Sequence, residues 1–200
     1  MPRTPEQNQS IKDRRRGKLL LYALKAFAEN GYDHTAIDDI TKPAKCSHGL
    51  FYHYFDSKED VFAALISEIL CGELEVPVAA ALEKGSVAGL RQLCEYAARA
   101  SKNGGKELCV AKITLLLPEA KSLDDKAKAF VRSHNVEAAL VTLIRQGQDE
   151  GKVIRGDARL IARAFLDLAK GALTRLSKTG SEAYDSDILY GMFLKTPIEE

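Results

Sequence analysis

The sequence lacks tryptophan, has only two methionines, and contains no apolar run near the roughly 18 residues needed to cross a bilayer. Its first ten residues carry two prolines and mostly polar side chains, without the apolar core of a secretory signal peptide, and we expect a mobile arm there. The 46% apolar and 28% charged residues are ordinary for a folded globular protein, which argues against extended disorder. These features predict a cytoplasmic protein with no membrane partner.

The cysteines give no sign of a metal or redox centre. Cys46, Cys71, Cys94 and Cys109 lie far apart, with no C-x-x-C motif and no Cys/His cluster at the spacing of zinc ligands. We expect them to be reduced and packed as small apolar side chains, with a thiol sensor as the alternative. The sequence also shows no nucleophile–base pairing and no glycine-rich phosphate loop. We therefore predict no catalytic residues, no metal site and no cofactor, and we do not expect an enzyme.

No segment alternates apolar and polar residues as a half-buried strand would. Apolar residues instead recur every three or four positions along most of the chain, which is typical of helices with one buried face. The pattern predicts an all-α fold of about nine helices. They cover about residues 11–30, two short helices within 35–55, then 58–75, 86–103, 107–117, 122–150, 157–178 and a last one from about 185.

The stretch after the first predicted helix contains two short helices across a tight turn, followed at once by a longer helix. Thr35 and Ser47 are predicted to cap the short helices, because their hydroxyls can accept from free N–H groups of the first turn. Ser57 is predicted to cap the longer helix, with Glu59 and Asp60 where the helix dipole favours negative charge. Two short helices joined by a tight turn form a helix-turn-helix, which places a recognition helix in the DNA major groove.

Charge is distributed unevenly between the front and the rest of the chain. Residues 1–58 hold ten Lys/Arg against seven Asp/Glu, a net +3, whereas residues 59–200 hold nineteen against twenty-one, a net −2. A mildly basic front suits an N-terminal nucleic-acid module. Arg14, Arg15 and Arg16 are predicted to contact phosphate or the minor groove, with a solvated helix start as the alternative.

Four motifs follow one another along the first third of the chain. They are A-x-x-x-F-A-E-N-G-Y (Ala23–Tyr32), T-A-I-D-D-I (Thr35–Ile40), S-H-G-L-F-Y-H-Y-F (Ser47–Phe55) and S-K-E-D-V-F (Ser57–Phe62). In combination they resemble the TetR family of transcriptional regulators, and the rest of the chain matches only in style. The resemblance implies a DNA-binding domain at 1–56, with the helix-turn-helix at about 35–55. It also implies a helical ligand-binding and dimerisation domain at 57–200.

The resemblance also implies which residues contact DNA. Gly49 lies at the start of the recognition helix and allows close approach to the bases because it has no side chain. Tyr52 and Lys58 match family positions that contact phosphate and position the protein, so base discrimination falls to His48 and His53. The predicted DNA contacts are Thr35, Lys45, Ser47, His48, Gly49, Tyr52, His53 and Lys58, together with the three arginines.

The turn between the two short helices departs from the family pattern. The family usually has glycine where Lys45 stands, and lysine costs about 1 kcal/mol relative to glycine if φ is positive there. Pro43 removes one backbone donor, so we expect the first short helix to end early, at Lys42. Lys45 is either a phosphate contact or a merely solvated side chain.

For the C-terminal body, the resemblance implies a small-molecule effector and a homodimer. Tyr96, Thr114 and His134 are the candidate effector contacts, and a hydrogen-bonded core position is the alternative for His134. Gly171 lies within a long helix, where glycine costs about 1 kcal/mol against alanine. A close crossing of helices in the dimer would explain this glycine, and so would an ordinary contact within the chain.

The leading hypothesis is a homodimeric repressor that binds a pseudo-palindromic operator in double-stranded DNA and leaves it when an effector binds. The alternative is a helical ligand-binding or sensor protein whose head binds DNA with little sequence specificity. Two further classes are a catalytic protein that merely retains the head and an architectural DNA binder. The modest +3 of the front disfavours the last class, because such binding draws on many phosphate contacts.

Overall fold

The computed structural model describes residues 5–73, 77–103, 105–179 and 185–194. These residues form α-helices joined by turns, and one isolated bridge between Val153 and Leu194 is the β-type pairing found among them. The all-α prediction is confirmed. The helices are α1 Pro5–Asn30, α2 Ile37–Ala44, α3 His48–Tyr52, α4 Lys58–Leu65, α5 Val78–Glu83, α6 Ser86–Asn103, α7 Gly105–Leu116, α8 Asp125–Ser133, α9 Val136–Asp149, α10 Ala158–Thr179 and α11 Ser186–Gly191.

Two short non-α segments adjoin these helices. A π-helical segment, Ile66–Glu73, continues α4, and a 3₁₀ turn, Leu117–Glu119, follows α7. None of the helices in the described ranges is long and apolar enough to span a membrane.

The chain divides into two compact units. The head unit comprises residues 1–75 and 119–130, and the body unit comprises residues 76–118 and 131–200. The chain therefore enters the head unit twice, first with α1–α4 and again after α7. The functional boundary near residue 56 stays a prediction.

The core of the head unit is built on aromatic side chains from three successive segments. Phe27 of α1 and Phe62 of α4 are fully buried, with ring centroids 4.8 Å apart in an edge-to-face arrangement. Tyr32 folds back onto both rings, as predicted, at 5.7 Å from Phe27 and 4.8 Å from Phe62. Ile40 of α2 and Phe51 of α3 are also completely buried. Each such side chain contributes about 1.5–3 kcal/mol, so this cluster is what holds the short helices in place.

Three predictions for the head unit are wrong. The part of the predicted arm at residues 5–10 is the start of α1, where a proline is tolerated because its missing N–H would have no partner anyway. Residues 1–4 lie outside the described residues. Thr35 does not cap α2: the cap is Ala36, whose N–H donates to the Asp39 carboxylate at 2.9 Å. Helix α2 also continues past Lys42 to Ala44.

Helix α2 tolerates Pro43 because the proline is its second-last residue, so only one backbone bond is lost, and its side chain is exposed. The chain then closes the helix with Lys45 in the left-handed conformation, at φ 52°. The Lys45 N–H donates to Lys42 O and the Cys46 N–H donates to Thr41 O, both at 3.0 Å. These two bonds satisfy the last carbonyls of the helix in the usual left-handed termination.

The long helix predicted over residues 122–150 is in fact two helices. Helix α8 ends at Ser133, and Asn135 begins α9 by accepting from the Ala138 N–H at 2.9 Å. An asparagine cap satisfies an otherwise free donor, so the chain restarts a helix there. Ser122 was also predicted to cap this segment, but Asp124 does so, accepting from the Ala127 N–H at 2.7 Å.

The body unit packs α5, α6, α9, α10 and α11 around one apolar core. Two of its glycines are required by close approach. A Cβ at Gly89 would lie 2.2 Å from the Ala81 carbonyl oxygen, and one at Gly147 would lie 2.3 Å from Val153 Cγ2. Neither distance leaves room for a side chain, so the contact of α6 with α5 and the contact of α9 with the segment that follows it depend on glycine.

Candidate nucleic-acid interface

Helix α3 presents one polar face and one buried face. Ser47 caps it as predicted, its hydroxyl accepting from the Leu50 N–H at 3.2 Å. Phe51 is completely buried and anchors the helix to the core, whereas Tyr52 is 50% exposed. The exposed positions at the start and end of the helix lie four residues apart and therefore share a face. We call this exposed surface the reading face: Ser47, His48, Gly49, Tyr52 and His53.

Neither the backbone conformation nor the packing of the described residues requires glycine at position 49. Its φ is not positive, and a Cβ built on it would meet no atom within 4 Å. Glycine inside a helix costs about 1 kcal/mol relative to alanine. The open space beside Gly49 therefore makes this position available for close approach by an external partner.

His48 is held from α2 by a carboxylate. The His48 Nε2 hydrogen-bonds the Oδ1 of Asp38, and the Asp38 Oδ2 forms an ion pair with the Lys42 ammonium at 2.8 Å. Hydrogen bonds from Lys42 and then His48 lower the pKa of Asp38 below its usual value, and the same contact with Asp38 raises the pKa of Lys42. The Asp38 carboxylate is thus ionised and connects the two helices of the motif.

The basic residues near the reading face differ in what they contact. Arg14 and Arg15 are exposed on α1, and Lys45 is exposed at the turn. Arg16 instead forms a two-bonded ion pair with Glu68, at 2.7 and 2.6 Å, and its guanidinium lies 5.2 Å from the centre of the Phe55 ring. These contacts give Arg16 a structural role, and its DNA contact stays a prediction.

Lys58 also points into the head unit. Its ammonium donates to Tyr32 O at 3.0 Å and Asp33 O at 3.4 Å, and it lies 4.7 Å from the centre of the Tyr32 ring. Since these carbonyls follow the end of α1, Lys58 stabilises the α1–α2 connection. The phosphate contact of Lys58 stays a prediction. Ser57 caps α4 as expected, accepting from the Asp60 N–H at 3.0 Å.

Thr35 is buried, with 3% of its surface exposed. Its hydroxyl donates to Gly31 O at 2.7 Å and lies 3.2 Å from Ala26 O. The side chain therefore closes the end of α1, and the predicted phosphate contact from the Thr35 hydroxyl does not fit this position.

One cluster in the head unit was not predicted from the sequence. The Asp33 carboxylate accepts from the Ser122 hydroxyl at 2.5 Å and from the backbone N–H groups of Lys121 and Ser122 at 2.7 and 3.1 Å. These bonds, the Ser122 hydroxyl first, lower the pKa of Asp33 to about 2. The partners lie almost ninety residues apart in the sequence, so no local pattern could have indicated the pairing.

Comparison with known proteins agrees with this geometry. The family model described as bacterial regulatory proteins, tetR family, matches residues 19–65. Over this segment the chain matches the TetR family. It is similar to the transcriptional repressor DhaR of Mycobacterium sp. (strain GP1), at 36% identity over 35% of each chain. It is also similar to the repressor KstR2 of Rhodococcus jostii (strain RHA1), at 41% identity over 36% of this chain and 33% of the relative.

The sequence match therefore spans only about a third of the length of these TetR-family relatives. Solved structures extend the similarity in fold to most of the chain. KstR2 of Mycobacterium tuberculosis has a TM-score of 0.64 at 22% identity, covering 91% of this chain and 96% of its own. AibR, solved with isovaleryl coenzyme A and operator DNA, has a TM-score of 0.59 at 16% identity, covering 88% and 94%. At these identities the similarity concerns the fold alone.

The body unit contains a cavity of about 50 Å³. Side chains from α6, α7 and α10 line it, most of them apolar, such as Leu93 and Phe165. Tyr96 and Thr114 are the two polar side chains in the lining. The buried Tyr96 hydroxyl has no hydrogen-bond partner among the described residues, and burial raises its pKa to about 12. The Thr114 hydroxyl donates to Val110 O at 3.0 Å.

His134 does not line this cavity, and its role as an effector contact stays a prediction. It lies between α8 and α9, is 9% exposed, and its Nδ1 is 2.9 Å from the Ser133 hydroxyl. His134 is therefore a buried residue beside a hydrogen-bonding hydroxyl, which agrees with the alternative of a hydrogen-bonded core position.

No disulfide joins the described cysteines, Cys46, Cys94 and Cys109. Cys94 is buried in the body core, and burial raises its pKa to about 12, as expected of an inert apolar-like side chain. Cys46 is half-buried beside the turn, and loss of hydration also raises its pKa. The side chain of Cys71 lies outside the described residues. No group of three or more metal-ligating side chains occurs in the described part of the chain.

Proposed function

We propose that this TetR-family regulator is a homodimeric repressor that binds a pseudo-palindromic operator and is released by a small-molecule effector. The observation that carries the proposal is the reading face. It combines two exposed histidines and a half-exposed tyrosine with a glycine that nothing in the described chain requires. Each of two recognition helices would enter the major groove of one half-site.

The residues of the head divide into two kinds of DNA contact. His48 and His53 carry ring nitrogens that can reach base edges. Tyr52, Lys45, Arg14 and Arg15 are exposed and suited to phosphate. Arg16, Lys42 and Lys58 are paired within the protein. The modest net charge of +3 over residues 1–58 supports sequence-specific binding over a sequence-neutral architectural role, which depends on many phosphate contacts.

Gly49→Ala is the sharpest test of DNA binding. Alanine meets no atom of the described chain and improves helix propensity, so the free energy of unfolding should stay equal or rise by up to about 1 kcal/mol. Affinity for operator DNA should fall at least about tenfold, because the methyl group occupies the space needed by a base or phosphate. Fluorescence anisotropy with a duplex from the promoter of its own gene measures this at a fixed salt concentration.

The matched control is Gly17→Ala, which replaces another helical glycine with open space around it. It should change DNA affinity less than twofold. Equal affinity of wild type and Gly49→Ala for the duplex, with both proteins dimeric, would contradict the proposed role of the reading face. Failure of the wild-type dimer to prefer any duplex over competitor DNA would instead support the alternative of a ligand-binding protein with a nonspecific head.

The effector part of the proposal is supported by the cavity in the body unit. Its small volume and apolar lining suit a compact apolar group, and the unpaired Tyr96 hydroxyl suits one hydrogen-bond acceptor on that group. An effector can release DNA only by binding one state more tightly than the other. That AibR was solved with both an acyl coenzyme A and operator DNA is consistent with an apolar acyl group here.

A panel of short acyl and aromatic compounds tests this by their effect on DNA affinity. Tyr96→Phe should weaken the response to any active compound by about threefold to tenfold, as expected for one lost hydrogen bond. An undiminished response in that variant would exclude Tyr96 as an effector contact.

A further inference from the structure

Asp38 is the one acidic side chain that the described structure places in contact with a histidine of the reading face. It lies on α2, ten residues before His48, and its carboxylate accepts from the His48 ring. Lys42 holds its second oxygen from the next turn of α2. The sequence motif alone indicates no role in recognition for Asp38, because Asp38 and His48 lie on different helices.

The contact fixes which nitrogen of His48 is available to DNA. An ionised carboxylate can only accept hydrogen bonds, so the Nε2 that contacts it must carry a proton. Lys42 and His48 together hold the pKa of Asp38 low, which keeps the carboxylate ionised. The Nδ1 of His48 is then the remaining polar atom of the ring, and no residue of the described chain is recorded as its partner.

We infer that Asp38 is a specificity-determining residue that makes His48 read the operator through Nδ1 alone. The inference rests on the proposed DNA-binding function. Without Asp38, either ring nitrogen can carry the proton and face the groove, so the same histidine would donate to some base edges and accept from others. With Asp38 in place, one atom at one position faces the base pair, and the histidine prefers fewer bases.

Asp38 is not needed to attach α3 to α2. The Cys46 N–H bonds Thr41 O across the turn, and Ile40, Ala44 and Phe51 are buried beneath the motif. The groups that face His48 are Asp38 and Lys42 on α2 and the Tyr52 ring on its own helix, at 6.5 Å between ring centroids. Replacing the carboxylate should therefore alter the orientation and protonation of His48 and leave the helix-turn-helix folded.

The experiment begins with a duplex that wild-type protein selects from a randomised library at a fixed salt concentration. Each base pair of one half-site is then replaced in turn, and dissociation constants are measured for wild type, His48→Ala, Asp38→Asn and Asp38→Ala. His48→Ala identifies the base pair whose preference depends on that ring. Asp39→Asn is the matched control, because it removes the same charge from the same helix while its amide oxygen can still accept from the Ala36 N–H.

We expect wild type to discriminate by roughly threefold to tenfold at the His48-dependent base pair, the range for one hydrogen bond. Asp38→Asn and Asp38→Ala should reduce that preference to less than about twofold, with the preferences at other positions unchanged. Both variants should gain affinity for every duplex, since a negative charge near DNA is lost, and Asp39→Asn should do the same without changing any preference.

Three results would overturn the inference. One is an unchanged preference at the His48-dependent pair in both Asp38 variants. Another is an equal loss of preference at every position, which would mean that Asp38 only supports the fold. The third is a His48→Ala variant that changes no preference, because His48 would then read nothing. If wild-type protein selects no specific duplex, the proposed function itself fails, and that result is distinct from these three.

Discussion

The reading face of the head unit and the outer face of α10 and α11 in the body unit are both exposed, yet they differ in chemistry. The reading face carries histidines, a tyrosine and nearby cations. On α10 and α11 the exposed side chains include large apolar ones: Leu160 is 63% exposed, Ile188 65% and Met192 43%. Exposed polar groups suit a hydrated, charged groove, whereas exposed apolar groups suit another protein surface.

Gly171 belongs to this second face. It is exposed on α10, and a Cβ built on it would meet no atom within 4 Å, so no close crossing within the described chain explains it. Ala164 is exposed seven residues earlier on the same helix, and small residues at such spacing allow a second helix to approach closely. The comparison thus supports a division in which the head contacts DNA and α10–α11 contact a second copy of the chain.

The largest effect should come from charging the apolar face. Leu160→Glu combined with Ile188→Glu should convert the dimer to a monomer, because the dimer interface would then bury unpaired carboxylates from both subunits. Operator affinity should fall by roughly a hundredfold or more, since the two heads no longer bind together. Light scattering measures the mass, and fluorescence anisotropy measures the affinity.

Leu82→Glu is the control for this pair, since Leu82 is an exposed leucine (40%) on a different helix, α5. It should leave both the mass and the DNA affinity unchanged. A dimer that survives the double substitution at Leu160 and Ile188 would show that the subunits associate through another surface.

A smaller effect separates three consecutive arginines of α1. Arg14→Ala with Arg15→Ala should weaken DNA binding and lower the slope of log affinity against log salt by roughly two, since each phosphate contact contributes about 0.9. Arg16→Ala should leave that slope unchanged and lower the free energy of unfolding by about 1 kcal/mol, through loss of the Glu68 pair and the Phe55 contact. Titrations at several salt concentrations, with urea unfolding, distinguish the two roles.

The contrary outcome is equally specific. If Arg16→Ala lowers the salt slope by about one, then Arg16 leaves Glu68 to contact DNA in the complex. If the Arg14 and Arg15 substitutions leave the slope unchanged, the start of α1 is a solvated helix end.

The smallest effect concerns acid stability of the head unit. The pKa of Asp33 is about 2 in the folded protein, below its ordinary value of 3.8, because Ser122 and the backbone at residue 121 donate to it. A carboxyl group whose pKa is lower in the folded than in the unfolded protein stabilises the fold at pH values above its unfolded pKa. That stabilisation is lost as pH falls from about 4 towards 2. Asp33→Asn should therefore narrow the difference in melting temperature between pH 5 and pH 2.5.

Asp56→Asn, at an exposed aspartate of the α3–α4 turn, is the reference for general charge effects. If Asp33→Asn and Asp56→Asn change the acid dependence equally, the bonds to Ser122 do not contribute to stability in solution.

The sequence predicted those parts of the molecule whose cause is local. Ser47 and Ser57 cap helices that begin at the next residue, and Phe27 lies one turn from the glycine that ends α1. Asn135 is also a local signal, for the start of a helix. The apolar residues keep their helical spacing through it, so the pattern predicted one continuous helix over residues 122–150. The roles of Arg16 and Lys58 could not be predicted, because their partners lie 52 and 26 residues away and every basic residue near a DNA-binding motif resembles a phosphate contact.

The left-handed conformation of Lys45 at the turn affects both the folding stability and the DNA affinity of this protein. Lys45 adopts φ 52°, where a side chain costs about 1 kcal/mol relative to glycine. The free protein bears that cost whether or not DNA is present, and only a contact made outside the chain can offset it. A Lys45→Gly variant should therefore fold more stably and, if the ammonium contacts phosphate, bind DNA less tightly, with the two changes opposite in sign.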